Sequence, residues 1–208
     1  MKKNSWDESF IPPEADKFLD TVKNEFAKSF EVEDKFLSAW LNHHGESQGK
    51  WLRARLALAT GGLLGLSSQT SINWAVVCEL IHSASLLHDD VCDQDSLRRG
   101  QSSVWKAYGI SAAICTGDYL IAESFRKITE IEEGWHQTIL LKLLSCSVKE
   151  IIFGQSKDVS FNVLDMSWDE YMKMVINKTS PFIALPMMGM FKCRECSIDE
   201  CDGLQEAS

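Results

Sequence analysis

The segment His82-Ser83-Ala84-Ser85-Leu86-Leu87-His88-Asp89-Asp90-Val91-Cys92-Asp93 gathers polar chemistry at the end of a long apolar run. In a helix, His82, Asp89 and Asp93 stand at i, i+7 and i+11 and share one face. Carboxylates one turn apart repel each other and weaken the helix unless a cation lies between them. Oxygen-only ligands at this spacing suit Mg2+, which keeps several waters and bridges one or two carboxylates to substrate phosphates. A solvated helix end would explain the aspartates alone but not their neighbours. Leu97-Arg98-Arg99-Gly100 follows closely, and Gly49-Lys50-Trp51-Leu52-Arg53 lies upstream. Guanidinium forks match phosphate oxygens, so these cations and the aspartates together describe a site for a highly anionic substrate. Two further pairs fit it. Gln155 and Asp158 are i, i+3 at the end of an apolar helix, and Lys178-Thr179 sits in an apolar helix interrupted by Pro181 and Pro186. A proline in a helix frees the carbonyl four residues earlier and bends the axis, which exposes backbone dipoles; a simple packing kink is the alternative.

The elements that must position these groups read as helices. The chain has 208 residues, 45% of them hydrophobic, with only four prolines, which predicts one all-α domain over residues 1–208. Pro12-Pro13 suits entry to a first helix from Glu14 to about Phe30. A second is predicted from about Gly49 to the run Gly61–Gly65. A third spans Ile72 to Gln94 with Ser71 and Asn73 as cap candidates, apolar all round in its first half and therefore interior. Further helices are predicted over 111–129, 135–153 and 168–190, the last opening with a Ser167/Glu170 capping box. His43-His44 and the stretch after Gly189 read as loops, and Leu204–Ser208 as the start of a new helix. The formal charge of −9 argues against nucleic-acid binding. No segment has the roughly 18 unbroken apolar residues of a membrane-spanning helix, and Met1-Lys2-Lys3-Asn4 leads into no signal-peptide core, so a cytoplasmic location is expected. Seven cysteines favour reduced thiols, including inert ones at Cys193, Cys196 and Cys201, over a zinc site.

Taken together, Gly49-Lys50-x-x-Arg53, Glu79-Leu80-Ile81-His82, His88-Asp89-Asp90-x-x-Asp93, Leu97-Arg98-Arg99-Gly100, Gly117-Asp118, Gly154-Gln155-x-x-Asp158 and Lys178-Thr179 resemble the trans-isoprenyl diphosphate synthase, or polyprenyl synthetase, family in order and spacing. The resemblance implies an isoprenoid-synthase-type helical bundle around a central cavity. It implies Mg2+ on Asp89, Asp93 and Asp90, holding the diphosphate of an allylic substrate with Arg98 and Lys178. Lys50, Arg53, His82 and Arg99 would hold isopentenyl diphosphate, and Gln155, Asp158 and the Thr179 carbonyl would complete the site. A homodimer, or a heterodimer with another synthase subunit, is implied too. Where the family often continues Arg-Arg-Gly with Pro-Thr, this chain has Gln101-Ser102-Ser103. Small residues at Ala84 and Ser85, where the family's aromatic residues block the growing tail, imply a product of twenty carbons or longer.

The family's second aspartate-rich motif is not found among these residues, so the expectation is that the last helices of the bundle are missing and that the chain alone has little condensation activity. A non-catalytic or regulatory subunit of a heteromeric synthase is the alternative. A His-Asp phosphohydrolase built on His43 and His88-Asp89 leaves Lys50, Arg53, Arg98, Arg99 and Gln155 unexplained. A terpene cyclase needs no second diphosphate site and leaves Lys50, Arg53 and Arg99 without a task.

Overall fold

The computed structural model describes residues 16–46, 49–160 and 167–206, with side chains as far as Glu195 apart from Asn177. Its helices are α1 (Leu19–Lys28), α2 (Lys35–Gly45), α3 (Leu52–Leu63), α4 (Ser68–Cys92), α5 (Val104–Tyr108), α6 (Ile110–Ile128), α7 (Gly134–Ser160) and α8 (Trp168–Glu206). A short antiparallel hairpin, β1 (Leu97–Arg98) with β2 (Gln101–Ser102), separates α4 from α5. The all-α expectation holds, and the hairpin serves as the turn that carries both arginines.

Helix α4 is the axis. Every residue from Thr70 to Ile81 is buried, and α1, α3, α6 and α8 pack round it. Its aspartates come only in the last turns, Asp89 and Asp90 with Asp93 just beyond, so the buried stretch before them places the carboxylates at one end of the bundle. The helix begins at Ser67, not at Ser71 or Asn73: the Ser67 hydroxyl accepts from the Thr70 amide at 3.1 Å. Ser71 and Asn73 are buried inside the first turns, where Asn73 donates to the Glu130 carbonyl at 3.1 Å. The packing needs close approaches. A Cβ on Gly189 would come within 2.2 Å of Trp74, a fully buried indole whose Nε1 donates to the Pro186 carbonyl at 3.1 Å. A Cβ on Gly117 would lie 2.3 Å from His88 Nε2, so glycine lets α6 approach α4 beneath that ring.

Three predicted features change. Helix α2 was not expected. Asp34 caps it by accepting from the amides of Phe36 and Leu37 at 3.0 and 2.8 Å, a short polar signal that the mixed composition of 35–45 obscures. His43-His44 is thus the last turn of a helix, not a loop. The stretch after Gly189 is no loop either: α8 runs unbroken through Pro181 and Pro186 to Glu206, with Cys193 buried and its carbonyl accepting from His136 at 3.1 Å. The Ser167/Glu170 capping box forms as expected, Ser167 N donating to Glu170 Oε2 at 3.0 Å and Glu170 N to Ser167 Oγ at 3.3 Å. The Pro12-Pro13 entry and the side chains of Cys196 and Cys201 lie outside the described residues.

Candidate active site

Two clusters of site residues flank the C-terminal half of α4. In the first, Lys50, Arg53, His82 and Arg99 converge on a cavity of about 170 Å3, together with His44, Glu79, Phe26 and Trp51. Trp51 takes a left-handed backbone (φ 55°) and has no side-chain cap for α3. Glu79, buried in α4, supplies the cap instead by accepting from the Ala54 amide at 3.0 Å. This fixes α3 so that Arg53 enters the cavity, its guanidinium 5.4 Å from the Phe182 ring centroid on α8. Arg99 is also left-handed (φ 52°), in the tight turn between β1 and β2. Burial pushes the Glu79 carboxyl upward against the pull of Ala54, Arg53 and Arg99. Burial, followed by the fields of Arg53, Arg99, His44 and Arg98, holds His82 down to about 3, so its imidazole is neutral at physiological pH. Arg53 Nε and His82 Nδ1 are buried polar atoms without a hydrogen-bond partner. Buried polar atoms in folded proteins normally have partners, so these two are open to a polar ligand atom or a water.

The second cluster is acidic. Burial raises the Asp89 carboxyl; Lys178 and Arg98 act against this, and Asp93 and Asp90 reinforce it. Asp90 is 3% exposed and its Oδ1 accepts from Arg98 Nε at 2.9 Å and from a second guanidinium nitrogen. The middle aspartate therefore steadies Arg98. Lys178 on α8 bonds Asp158 on α7 through Nζ and Oδ2 at 2.5 Å. Burial draws the Lys178 ammonium down, and Asp158, Asp89 and Asp93 outweigh it to leave the group raised. Asp89, Asp93, Asp158, Lys178 and Arg98 thus share one electrostatic neighbourhood.

Gln155 lies one turn before Asp158, and both its amide atoms are buried without a hydrogen-bond partner. It lines an open groove of about 500 Å3 with His88, Val91, Ile114 and Val159. Thr179 is exposed beside Lys178. By the i−4 rule, Pro181 frees the carbonyl of Asn177 and Pro186 that of Phe182, so neither proline frees the Thr179 carbonyl.

No group of three or more His, Cys, Asp or Glu side chains poised for a metal occurs among the described residues. Asp89 and Asp93 offer an oxygen pair with a charge to neutralise, which fits a hard cation that takes most of its ligands from water and phosphate. Sequence reasoning missed two cavity residues, His44 and Glu79. Glu79 stands in the Glu79-Leu80-Ile81-His82 motif, but its task was not legible there, because its partner is a backbone amide on another helix.

A helical bundle with a carboxylate cluster and a cationic cavity on one central helix is the architecture of isoprenoid synthases. A solved isoprenoid synthase family member from Thermotoga neapolitana superposes with a TM-score of 0.77 at 26% identity, over 84% of this chain and 69% of that one. The polyprenyl synthetase family model matches residues 34–206, and the chain belongs to that family. A short chain isoprenyl diphosphate synthase from Methanocaldococcus jannaschii is 29% identical over 90% of this chain and 57% of its own length. A geranylgeranyl pyrophosphate synthase from Geoglobus acetivorans is 33% identical over 81% and 53%. The solved geranylgeranyl pyrophosphate synthetase of that archaeon matches with a TM-score of 0.79 at 29% identity, over 87% of this chain and 59% of that one. The chain spans a little over half the length of these relatives. The family match begins at Asp34, so helix α2 lies inside it.

Proposed function

We propose that the chain carries the two diphosphate sites of a prenyltransferase that condenses isopentenyl diphosphate with an allylic diphosphate. The observation that supports this best is that two distinct charged clusters lie beside one helix, a cationic one in which Lys50, Arg53 and Arg99 surround His82, and an acidic one in which Asp89 and Asp93 stand near Lys178. A reaction with a single diphosphate would leave the cationic cavity without a task.

In this reading Asp89 and Asp93 would hold Mg2+, which supplies charge neutralisation on the departing diphosphate. Lys178 and Arg98 bind the same phosphates directly, and Asp90 and Asp158 hold those two cations in place. The carbon–oxygen bond breaks with its electron pair leaving on the diphosphate oxygen, and the allylic carbon becomes cationic. Fixed cations around a leaving anion need no reorganisation at the moment of reaction, which is the largest single contribution in many enzymes. The Gln155 amide oxygen and the helix carbonyls near Thr179 offer negative dipoles that are poor nucleophiles. Lys50, Arg53, His82 and Arg99 hold isopentenyl diphosphate so that its double bond meets the allylic carbon.

Binding measurements separate the two clusters. Isopentenyl diphosphate is expected to bind without metal and to be lost in Lys50→Ala. An allylic diphosphate is expected to need Mg2+ and to be lost in Asp89→Asn. Binding of both ligands that is indifferent to both substitutions would overturn the reading. The second reading is a non-catalytic or regulatory subunit of a heteromeric prenyl synthase. Little turnover by the chain alone, restored by mixing with a longer synthase, is its signature. Ala84 is 1% exposed, so an aromatic residue there would overpack the core, whereas Ser85 is half-buried. Ser85→Phe is therefore the cleaner test of a product of twenty carbons or more: in an active assembly it is expected to shorten the product seen by chromatography.

A further inference from the structure

We propose that His44 is a further recognition group of the cationic cavity, one that takes up a proton as a diphosphate binds and donates to it as an imidazolium. The proposal rests on the reading of that cavity as a diphosphate site. It adds a residue from α2, an element outside every motif that pointed to the function.

His44 lines the cavity with Lys50, Arg53, His82 and Arg99. It also lines a small neighbouring recess with His43, Asp90, Arg98 and Ser102. Its position is tied to that of Arg99. The ring of its neighbour His43 donates to the Ser102 carbonyl at 2.7 Å and meets Tyr108 edge-on at 5.2 Å between centroids. Helix α2 is thus fastened to the hairpin that presents Arg99, and imidazole and guanidinium face the cavity as one assembly. The backbone at Gly49 closes the same wall, since a Cβ there would lie 2.7 Å from an Arg99 guanidinium nitrogen.

The charged groups facing His44 are mostly cations, Lys50 and Arg53 from the start of α3 and Arg98 and Arg99 from the hairpin, and two further imidazoles stand among them, His43 on its own helix and His82 from α4. Among the described residues, Glu79 and the Arg98-bound Asp90 are the only carboxylates lining the two recesses. Burial comes first, then Arg99, Arg98 and His43, and together they hold the His44 ring down to about 4. A neutral imidazole has one donor and one acceptor nitrogen, and the acceptor is repelled by a phosphate oxygen. A bound diphosphate offsets the same cations that disfavour protonation and places an anion beside the ring, which reverses both influences. The proton then converts the acceptor into a charge-assisted donor.

Calorimetry of the full chain tests this, with isopentenyl diphosphate as the probe and a chelator present so that the aspartate cluster stays out of play. Titrations at pH 7 in buffers of different ionisation enthalpy report protons taken up per ligand bound. Wild type is expected to take up protons and to bind more tightly as pH falls from 8 to 6.5. His44→Asn is expected to weaken binding roughly tenfold and to reduce the uptake. His44→Lys, a fixed cation, is expected to restore affinity without restoring the lost uptake. Circular dichroism of each variant separates loss of recognition from loss of fold. Binding by His44→Asn with wild-type affinity and uptake, or by wild type with no uptake, overturns the role of His44 and leaves the diphosphate reading standing. Absence of isopentenyl diphosphate binding by wild type, or undiminished binding by Lys50→Ala, overturns the diphosphate reading itself.

Discussion

Asp90 shows how a motif residue can act through a neighbour. Its carboxylate is buried and bound to Arg98, so Asp90→Ala leaves a half-buried guanidinium without its partner. The expected cost is about 1–3 kcal/mol in urea unfolding, with weaker binding of the allylic diphosphate. The spacing of the three aspartates was legible in the sequence. That the middle one faces an arginine eight residues ahead was not, because a helix followed by a hairpin sets that direction. The two cavity histidines give a pH signature. Their folded values, about 4 for His44 and about 3 for His82, lie below the ordinary value of 6.5. The unfolded chain therefore binds more protons than the folded one between those values, and their contribution to stability is present above pH 6.5 and lost as pH falls toward 4. The raised carboxyls Glu79, Asp89 and Asp90 act in the opposite sense at the acid end. Denaturant midpoints measured from pH 8 to 4 are expected to fall less steeply in a His44→Gln, His82→Gln double variant than in wild type, and equal slopes would contradict the assignment.

At the scale of elements, α4 was legible because its apolar half had to be interior, and the capping box of α8 because its reciprocal bonds are local. Helix α2 was not, because the mixed composition of 35–45 hides its local Asp34 cap, and neither was the continuation of α8 beyond 190, where packing such as that of Cys193 against His136 is distant in sequence. Prolines at 181 and 186 read as interruptions within one helix that bend it, and neighbouring helices hold α8 together through them. The clearest such contact is the Trp74 indole on the Pro186 carbonyl, with Gly189 one turn below. Gly189→Ala would drive a Cβ into a fully buried ring that cannot move aside. It is expected to destabilise the chain by about 1–3 kcal/mol in chemical denaturation. Gly62→Ala, whose Cβ would meet nothing within 4 Å, is the control and is expected to leave stability unchanged or slightly improved.

At the scale of the whole molecule, α6 and α7 expose large apolar side chains. Ile110 lies on one, and Trp135, Leu141 and Phe153 on the other, all at 40% exposure or more and outside the Gln155 groove. The family resemblance implied a homodimer, and these side chains supply apolar area for one. Sedimentation velocity at micromolar concentration is expected to give a dimer, and a monomer there would count against it. The acidic charge read from composition resolves into a local arrangement in which one end of the bundle carries the aspartates and the cavity beside it is cationic. Among the described residues three non-glycine residues adopt left-handed backbones, Trp51, Gln94 and Arg99, and each stands in a turn beside α3, α4 or the hairpin. Such a backbone costs roughly 1–2 kcal/mol per residue relative to glycine. At two of the three turns the side chain lines the cavity, so replacing it with glycine would relieve the backbone and remove the wall. For protein engineering this divides the turns: stability can be raised at Gln94 without touching the cavity, while at Trp51 and Arg99 a more stable sequence is a less complete binding site.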